Sequence, residues 1–415
     1  MVLEQRKIEA SLPAGIEREG LSEIEKYFTL PHCIVISGIR RSGKSTLLSQ
    51  IIKNHYQNDY FYFNFEDERL IAFKAEDFNV LHEIFIELYG DKKTFFLDEI
   101  QNIPKWESFV RRLQDAGCKF FITGSNASLL SRELGTKLTG RTVIKELYPF
   151  SFKEFLAFKN VVVKKESLSI TQERAMIKKH FNEYLKNGGM PEYLKYQDQT
   201  LQKRVYEDIL YRDIVVRHDI KAVNSLRELS LYFMSNMATA FTFNGLKEAF
   251  HLGSANTVKS YVDYLENSFL IFTVNKFSFS LKKQSIAPKK VYCIDNGLVE
   301  AVAFQFSKNK GKFYENLVFG ELKRRGGEIY YYLTEDGKEV DFLMRKDNKI
   351  SALIQVTESL DQEKARNREI GALLKAMDEL KIKSGLILTY DHEETVQING
   401  KHIIVKPIYK WLLEN

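Results

Sequence analysis

A short apolar run gives way to a glycine-rich turn and then to a helical pattern in Ile34-Val35-Ile36-Ser37-Gly38-Ile39-Arg40-Arg41-Ser42-Gly43-Lys44-Ser45-Thr46-Leu47-Leu48. The run at the start predicts a buried strand, and the residues after Ser45 predict an amphipathic helix. Between them lies G-x-x-x-x-G-K-S, the pattern of a phosphate-binding P-loop. A chance match in a turn is the alternative, but the strand before the pattern and the helix after it argue against chance.

Each residue type in this loop has a chemical reason. Gly38 and Gly43 let the backbone turn its N–H groups inward around an anion. Lys44 supplies a positive charge for the β- and γ-phosphates of ATP, and Ser45 offers a hydroxyl to Mg²⁺. The following helix directs the positive end of its dipole at the same phosphates. We therefore expect ATP to bind Gly38, Ile39, Arg40, Arg41, Ser42, Gly43, Lys44, Ser45 and Thr46.

A second apolar strand ends in two carboxylates, in Thr94-Phe95-Phe96-Leu97-Asp98-Glu99-Ile100-Gln101. Asp98 is expected to hold Mg²⁺ through water, and Glu99 is expected to polarise the attacking water as the catalytic base. Taken alone, the segment is more simply a strand that runs into an acidic turn. Together with the P-loop it predicts a nucleotide hydrolase that uses ATP and Mg²⁺. A small-molecule kinase is disfavoured, because Glu99 beside Asp98 provides a base for water.

The composition is that of a globular protein. The 415 residues are 44% apolar and 28% charged, and this length predicts about two to four domains. We see no signal peptide and no apolar run of membrane-spanning length, so we expect a cytoplasmic protein with no membrane partner. The three cysteines lack zinc spacing and are expected to be buried thiols. The net charge of +6 permits a nucleic-acid partner without demonstrating one.

Strands and helices alternate from Cys33 to about Phe150, which predicts a parallel sheet with helices on both faces. The expected strands are 33–37, 59–65, 94–98, 119–124 and 143–148. The fourth strand leads into Ser125 and Asn126, where a P-loop sheet would bring a polar side chain near the γ-phosphate to orient the water. An ordinary strand-to-turn transition explains these two residues equally well.

Arg141 stands just before the fifth expected strand. A rigid guanidinium there suits the charge of a transition state if it reaches the γ-phosphate bound by a neighbouring subunit of a homo-oligomer. A surface arginine beside a turn is the alternative.

The chain resembles a family of prokaryotic AAA+ ATPases that carry a C-terminal domain of unknown function. The resemblance covers nearly the whole chain and rests on the P-loop with Arg40-Arg41, Leu97-Asp98-Glu99-Ile100-Gln101, Thr123-Gly124-Ser125-Asn126, Gly140-Arg141 and Pro149-Phe150-Ser151-Phe152-Lys153-Glu154-Phe155. It implies that Glu99 is the catalytic base, Asn126 the first sensor and Arg141 an arginine finger. It also implies an AAA+ core at residues 1–150, followed by a helical lid at 151–222.

Residues 223–285 are predicted to form a winged helix-turn-helix. Asn244 is expected to cap its first helix, and a second helix from Ala255 carries apolar residues at helical spacing. A recognition helix in the major groove of DNA would then be accompanied by wing lysines on phosphates, namely Lys276, Lys282, Lys283, Lys289 and Lys290. Winged helices also bind proteins, so both kinds of partner stay open, with DNA favoured.

Residues 286–415 have the element order of a PD-(D/E)XK nuclease, a fold that the family's C-terminal domain is thought to share. Glu315 and Asp341 match its metal-site positions, but the expected Glu-x-Lys reads Gln355-Val356-Thr357. Glutamine offers Mg²⁺ one neutral oxygen instead of a carboxylate, and threonine cannot replace a lysine that activates water. We therefore expect a degenerate nuclease site of Glu315, Asp341 and Gln355. Lys364 on the next helix is the candidate substitute for the missing lysine.

The sequence thus predicts an α/β multidomain chain with a P-loop AAA+ core, a helical lid, a winged helix-turn-helix and a restriction-endonuclease-like C-terminal domain. The expected function is ATP hydrolysis coupled to DNA binding or remodelling. An ATP-controlled switch with a protein partner and an ATP-dependent nuclease are the alternatives. ATPase stimulation by DNA with steep salt dependence would favour the first, and slow DNA-independent turnover would favour the switch.

Overall fold

The computed structural model describes residues 1–126, 140–303 and 310–414. The chain divides into two units. The N-terminal unit consists of Met1–Pro149 with Asn267–Phe269, and the C-terminal unit consists of Phe150–Glu266 with Leu270–Asn415. The lid, winged-helix and nuclease-like regions predicted from the sequence all belong mainly to the C-terminal unit.

The N-terminal unit alternates helices and strands. Its helices are α1 (Val2–Ser11), α2 (Gly20–Glu25), α3 (Lys44–Ile51), α4 (Asp77–Tyr89) and α5 (Trp106–Asp115). Its strands are β1 (Cys33–Ser37), β2 (Phe61–Asn64), β3 (Thr94–Asp98), β4 (Lys119–Gly124) and β5 (Thr142–Glu146). A π-helical segment (Ile52–Tyr56) follows α3, and 3₁₀ turns lie at Glu68–Leu70 and Ile100–Asn102.

Among the described residues of this unit, the strands form a five-stranded parallel sheet in the order β2-β3-β4-β1-β5. The sheet has helices on both faces because its strands are apolar on both sides. Phe95 and Phe120 stack on one face, in a cluster with Trp106 of α5. Phe96 and Phe121 stack on the other face, in a cluster with Leu47 of α3. The predicted parallel sheet is therefore confirmed.

The C-terminal unit begins with helices and continues with mixed α/β structure. Its helices are α6 (Phe152–Phe158), α7 (Thr171–Asn187), α8 (Pro191–Tyr196), α9 (Gln199–Asp208), α10 (Val223–Ser235), α11 (Phe243–Ala249), α12 (Ala255–Asn267), α13 (Leu281–Ile286), α14 (Asn296–Val302), α15 (Lys310–Arg325), α16 (Glu363–Glu379) and α17 (Ile408–Leu412). A 3₁₀ turn (Lys165–Leu168) precedes α7, and a π-helical segment (Ile209–Val216) follows α9. Its strands are β6 (Thr239–Phe241), β7 (Ile271–Lys276), β8 (Lys289–Cys293), β9 (Glu328–Leu333), β10 (Glu339–Lys346), β11 (Lys349–Val356), β12 (Ser384–Thr389), β13 (Glu394–Ile398) and β14 (Lys401–Pro407).

In the described part of the chain, these strands form one mixed sheet in the order β13-β14-β12-β11-β10-β9-β7-β8-β6. The predicted boundary between residues 285 and 286 falls between β7 and β8, which pair antiparallel. Parallel pairing of β7 with β9, at Asn275 and Lys276, joins the predicted wing to the predicted nuclease-like region. The strands of these two regions therefore share a single sheet.

Two features expected from composition can be compared with the structure. Cys33, Cys118 and Cys293 are buried and free, and burial raises the pKa of the Cys33 thiol to about 12. Across the described ranges, we find no helix that combines the length and the apolar character needed to cross a bilayer.

Candidate active site

The turn between β1 and α3 has two glycines, each with its own structural reason. Gly43 lies in the left-handed region, with φ of +95°, directly before α3. Gly38 faces the carbonyl oxygen of Leu147, which would lie 2.1 Å from a Cβ atom at position 38. Because that oxygen belongs to the main chain, a side chain at 38 would displace the loop or the end of β5. Packing therefore requires glycine at 38, and backbone conformation favours it at 43.

Lys44 is the buried cation of this loop, with 5% of its surface exposed. Its ammonium donates hydrogen bonds to the carbonyl oxygens of Gly38 (3.1 Å) and Ile39 (3.2 Å). It also lies 3.4 Å from Oε1 of Glu99. The structure thus brings the P-loop lysine and the predicted catalytic base into direct contact.

Glu99 follows β3 with a φ of +52°, an uncommon conformation for a residue with a side chain. Burial raises the pKa of its carboxyl, but the charge of Lys44 and a hydrogen bond from Gln101 lower it more, so the net pKa lies below the ordinary value. Glu99 is therefore held as a carboxylate beside the P-loop.

Asp98 lies at the end of β3 with 1% of its surface exposed. Its carboxylate accepts a hydrogen bond from the Thr123 hydroxyl of β4, which in turn accepts one from the Glu99 N–H (2.9 Å). The Ser45 hydroxyl also interacts with the Asp98 carboxylate and lowers its pKa. Burial and the neighbouring Glu99 charge raise the pKa of Asp98 more than these hydroxyl bonds lower it. The two predicted Mg²⁺ ligands, Ser45 and Asp98, are thus adjacent.

The remaining loop residues differ in their surroundings. Arg40 pairs with Glu66 at 2.7 Å, and Arg41 is exposed with a φ of +62°. The Ser42 hydroxyl is buried and has no hydrogen-bond partner among the residues that the structure describes. Thr46 is partly buried in the first turn of α3. A left-handed turn, a buried lysine and an unpaired hydroxyl are the features that a phosphate group would satisfy, so the loop fits a nucleotide.

Arg18 is a component of this loop that sequence reasoning missed. It is buried, with 5% of its surface exposed. Its guanidinium donates to the carbonyl oxygen of Ser42 at 2.7 Å and to that of Tyr148 at 2.6 Å. It therefore ties the P-loop to the segment after β5. Arg18 stands in a charged N-terminal stretch, and no local pattern signalled its burial.

Ser125 and Asn126 directly follow β4 and are buried, with 3% and 2% exposed. Since β4 lies between β1 and β3, these residues stand at the sheet edge that also carries the P-loop and Glu99. This is where a residue that orients water would have to lie, and the assignment of Asn126 as a sensor stays a prediction.

Arg141 lies at the opposite edge of the sheet. It precedes β5, whose Thr142 pairs with Cys33 at the beginning of β1, while the P-loop follows the end of β1. A five-residue strand separates the two edges by roughly 16 Å. Arg141 is half-exposed and pairs with Asp115 of α5. The structure does not bring it to the P-loop of its own chain, so a role as a finger requires a second subunit.

The C-terminal unit holds a second cluster of charged side chains, around the predicted nuclease residues. Glu315 of α15 accepts hydrogen bonds at Oε1 from the Tyr292 hydroxyl (2.6 Å) and from the Lys290 ammonium (2.9 Å). The same ammonium lies 2.6 Å from Glu339 and 3.6 Å from Asp341. Burial lowers the pKa of Lys290, but these carboxylates raise it more, and its net pKa lies above the ordinary value.

Gln355 also lies in this cluster. Its side-chain oxygen accepts from the Asp341 N–H (3.3 Å), and its amide donates to Glu369 of α16 (2.6 Å). The cluster borders a cavity of about 630 Å³. Lys364, the candidate substitute lysine, is exposed near the start of α16 and is not among the residues that line this cavity. The lysine in contact with the predicted carboxylates is Lys290.

The helix-turn-helix prediction needs two corrections. The first helix, α11, is capped by Thr242, whose hydroxyl accepts from the Gly245 N–H (3.1 Å), and Asn244 lies within the helix. Among the wing lysines, Lys290 is 2% exposed and Lys289 is half-buried and bonded to Asn275. Neither is presented as a free surface charge, because β8 carries both into the sheet.

Comparisons with known proteins divide the chain into three matched segments. Residues 31–156 match the family described as "AAA domain". Residues 178–309 and 310–411 match two families described as "Domain of unknown function", DUF8612 and DUF4143. The AAA match covers the parallel sheet, the P-loop and Asp98-Glu99.

Two curated relatives extend over almost the whole chain. An uncharacterized protein of Methanocaldococcus jannaschii is 40% identical in an alignment 396 residues long, which covers 91% of this chain and 88% of the relative. An uncharacterized protein of Haemophilus influenzae is 31% identical in an alignment 417 positions long, which covers 97% of this chain and 99% of the relative. Among solved structures, a Walker-type ATPase of Pyrococcus abyssi matches 69% of this chain and 95% of its own, with 16% identity and a TM-score of 0.39. The chain therefore belongs to the prokaryotic family that the two curated relatives represent, and its AAA domain is a P-loop nucleotide-binding domain.

Proposed function

We propose that the protein is a Mg²⁺-dependent ATPase whose active site is assembled from the P-loop, Asp98 and Glu99. ATP would bind along Gly38–Thr46, with Lys44 and the N–H groups at the start of α3 on its phosphates. Mg²⁺ would be held by Ser45 and Asp98 and would neutralise phosphate charge. Glu99 would accept the proton of the attacking water.

The contact network around Asp98 carries this proposal. Thr123 is hydrogen-bonded to both Asp98 and the Glu99 N–H, Ser45 lies next to Asp98, and Lys44 contacts Glu99. Lys44, the pair Ser45 and Asp98, and the ionised Glu99 lie side by side, and together with Thr123 they belong to or follow three separate strands, which supports these roles. A chain that only bound nucleotide would not need the base.

The test compares Lys44→Ala and Glu99→Gln with the wild type. Lys44→Ala should lose nucleotide binding, because the phosphates lose their buried counter-charge. Glu99→Gln should bind ATP normally and hydrolyse it at least ~100-fold more slowly, the scale of a lost general base. Glu87→Gln, an exposed glutamate on α4, is the matched control. Near-normal turnover by Glu99→Gln would remove Glu99 from this role.

We further propose that ATP turnover is coupled to DNA through the α11–α12 pair. One face of α12 is buried through Val258, Tyr261 and Val262, which leaves the face with Asn256 and Lys259 outward. Lys282 and Lys283 are exposed on the wing between β7 and β8. An exposed polar helix face next to lysines suits a DNA backbone and groove.

The alternative, a switch that exposes a protein-binding surface, is supported by the same wing. Phe279, Leu281 and Ile286 are 85%, 82% and 75% exposed. Three large apolar side chains exposed within eight residues are typical of a protein contact surface.

ATPase assays with single-stranded, duplex and branched DNA separate these two functions. DNA coupling predicts stimulation that falls steeply with salt and weakens in Lys282→Ala/Lys283→Ala. Lys346→Ala/Lys349→Ala, at the paired ends of β10 and β11, is the control for removing two exposed lysines. An ATPase rate that DNA changes neither in the wild type nor in the wing variant would favour the protein-binding switch.

A further inference from the structure

The nuclease-like resemblance implies a divalent cation between Glu315 and Asp341, and the geometry tests whether the residues present fit one. The ammonium of Lys290 lies 2.9 Å from Glu315, 2.6 Å from Glu339 and 3.6 Å from Asp341. It is therefore the cation that these three carboxylates share. A second cation among the same oxygens would face the fixed positive charge of Lys290 at short range.

Each of the three candidate metal ligands also has one side-chain oxygen that accepts a hydrogen bond from the protein itself. Oε1 of Glu315 accepts from both Tyr292 and Lys290. Oδ2 of Asp341 accepts from the Val356 N–H at 2.8 Å, and the side-chain oxygen of Gln355 accepts from the Asp341 N–H. Mg²⁺ demands oxygen ligands at about 2.0–2.1 Å in near-octahedral arrangement. Bound at these oxygens it would have to displace Lys290 and break these bonds. Bound instead at Oδ1 of Asp341 it would lie beside the Lys290 ammonium, which is 3.6 Å from that oxygen.

The strand and a neighbouring aromatic ring hold Lys290 in position, in addition to the carboxylate charges. Lys290 and Tyr292 are two residues apart on β8 and so emerge on the same face, where both meet Glu315. The ammonium also lies 5.8 Å from the ring centre of Tyr331 on β9, a residue that is 1% exposed. No group of three or more His, Cys, Asp or Glu side chains in the described ranges is arranged to hold a metal ion.

We propose that Lys290 is a built-in cation that takes the place of the divalent metal in the nuclease-like site. The carboxylates of Glu315, Glu339 and Asp341 are compensated inside the fold, so the C-terminal unit needs no metal and binds none there. The second alternative from the sequence, an ATP-dependent nuclease, is then disfavoured because the site lacks the group that would activate water. This inference is independent of the ATPase proposal, which concerns the other unit.

The experiment is a Mn²⁺ titration of the full chain without nucleotide, followed by the electron paramagnetic resonance signal of free Mn²⁺. Wild type and Asp341→Asn should bind the same number of ions with the same affinity, since any remaining binding would come from Ser45 and Asp98. Lys290→Met should bind one additional ion per chain, because its carboxylates lose their internal cation. That ion should disappear in Lys290→Met/Asp341→Asn, and Lys290→Arg should not acquire it.

Two results would overturn the proposal. The first is an ion bound by the wild type that Asp341→Asn abolishes, whether or not Mn²⁺-dependent DNA cleavage accompanies it. This comparison needs no change at Lys290 and decides the matter even if Lys290→Met does not fold. The second is a Lys290→Met protein that unfolds cooperatively, as the wild type does, and yet binds no additional ion.

Discussion

Removal of the Arg18 side chain should loosen the P-loop although Arg18 lies outside every motif in the sequence. Its guanidinium bonds to the carbonyl oxygens of Ser42 and Tyr148, 24 and 130 residues away along the chain. In Arg18→Ala both oxygens stay in a buried setting and lose a charged donor. The loop before α3 is then no longer tied to the segment after β5.

The size of the effect follows from these two bonds. A hydrogen bond to a charged group stabilises a protein by about 1.5–3 kcal/mol. Because one guanidinium makes both bonds, their contributions are not independent, and we expect a loss of about 3 kcal/mol in the free energy of unfolding. Arg18→Lys keeps the charge but has no planar fork to reach two carbonyls, so it should lose about half of that.

Fluorescence can report on the N-terminal unit alone. The chain has two tryptophans, Trp106 in the core of the N-terminal unit and Trp411 in the C-terminal unit. In a Trp411→Phe background, urea unfolding followed at Trp106 measures the unit that contains Arg18. With a slope of ~2 kcal/mol per molar urea, the midpoint should fall by about 1.5 M in Arg18→Ala.

Lys7→Ala, an exposed change on α1, is the matched control and should stay within about 0.5 kcal/mol of the parent. Titration with a non-hydrolysable ATP analogue should show weakened binding in the order parent, Arg18→Lys, Arg18→Ala. If Arg18→Ala unfolds at the parent's midpoint and binds the analogue with the parent's affinity, the anchoring role of Arg18 is refuted.

Two further predictions concern the same unit. If Arg141 acts on a neighbouring subunit, the ATPase rate per chain should rise with protein concentration. Mixing the Arg141→Ala and Glu99→Gln proteins should also recover activity, because one kind of interface then pairs an intact site with an intact finger. A rate that is independent of concentration, with no recovery on mixing, would contradict this. Gly38→Ala should lose nucleotide binding because its Cβ would meet the Leu147 oxygen at 2.1 Å, whereas Gly371→Ala, where nothing lies within 4 Å of the added atom, is the control. Wild-type nucleotide affinity in Gly38→Ala would show that the loop can shift without loss.

The sequence predicted the parts of the fold whose signals are local. Strands at 33–37, 94–98 and 119–124 have the predicted bounds because each is a continuous apolar run that both faces of the sheet bury. The P-loop is a fixed spacing of residue types that one turn imposes, so the places of Gly38 and Lys44 in that turn can be predicted from the sequence. The contact of Lys44 with Glu99 could be expected from the order of the strands, but its distance could not.

Arg18 and Lys290 show where sequence reasoning fails. Each is a cation in a charged stretch, which usually indicates a solvated surface. Each is buried because partners distant in sequence meet it, Tyr148 for Arg18 and Asp341 for Lys290. The sequence predicts Lys290 to be a DNA contact because it follows other wing lysines. Its burial depends on β8 pairing with β7 and on the sheet that continues into β9 and β10, which no local pattern encodes.

The contact between Lys44 and Glu99 connects binding and catalysis in the proposed ATPase. Lys44 lowers the pKa of Glu99. The carboxylate is therefore ionised, but it is also a weaker base, because a lower pKa means a weaker attraction for a proton. Phosphate oxygens placed on the loop would compete with Glu99 for Lys44 and add negative charge nearby. Both effects would raise the pKa of Glu99 and strengthen it as a base. The lysine that binds the nucleotide would therefore also make the activation of water depend on nucleotide being bound.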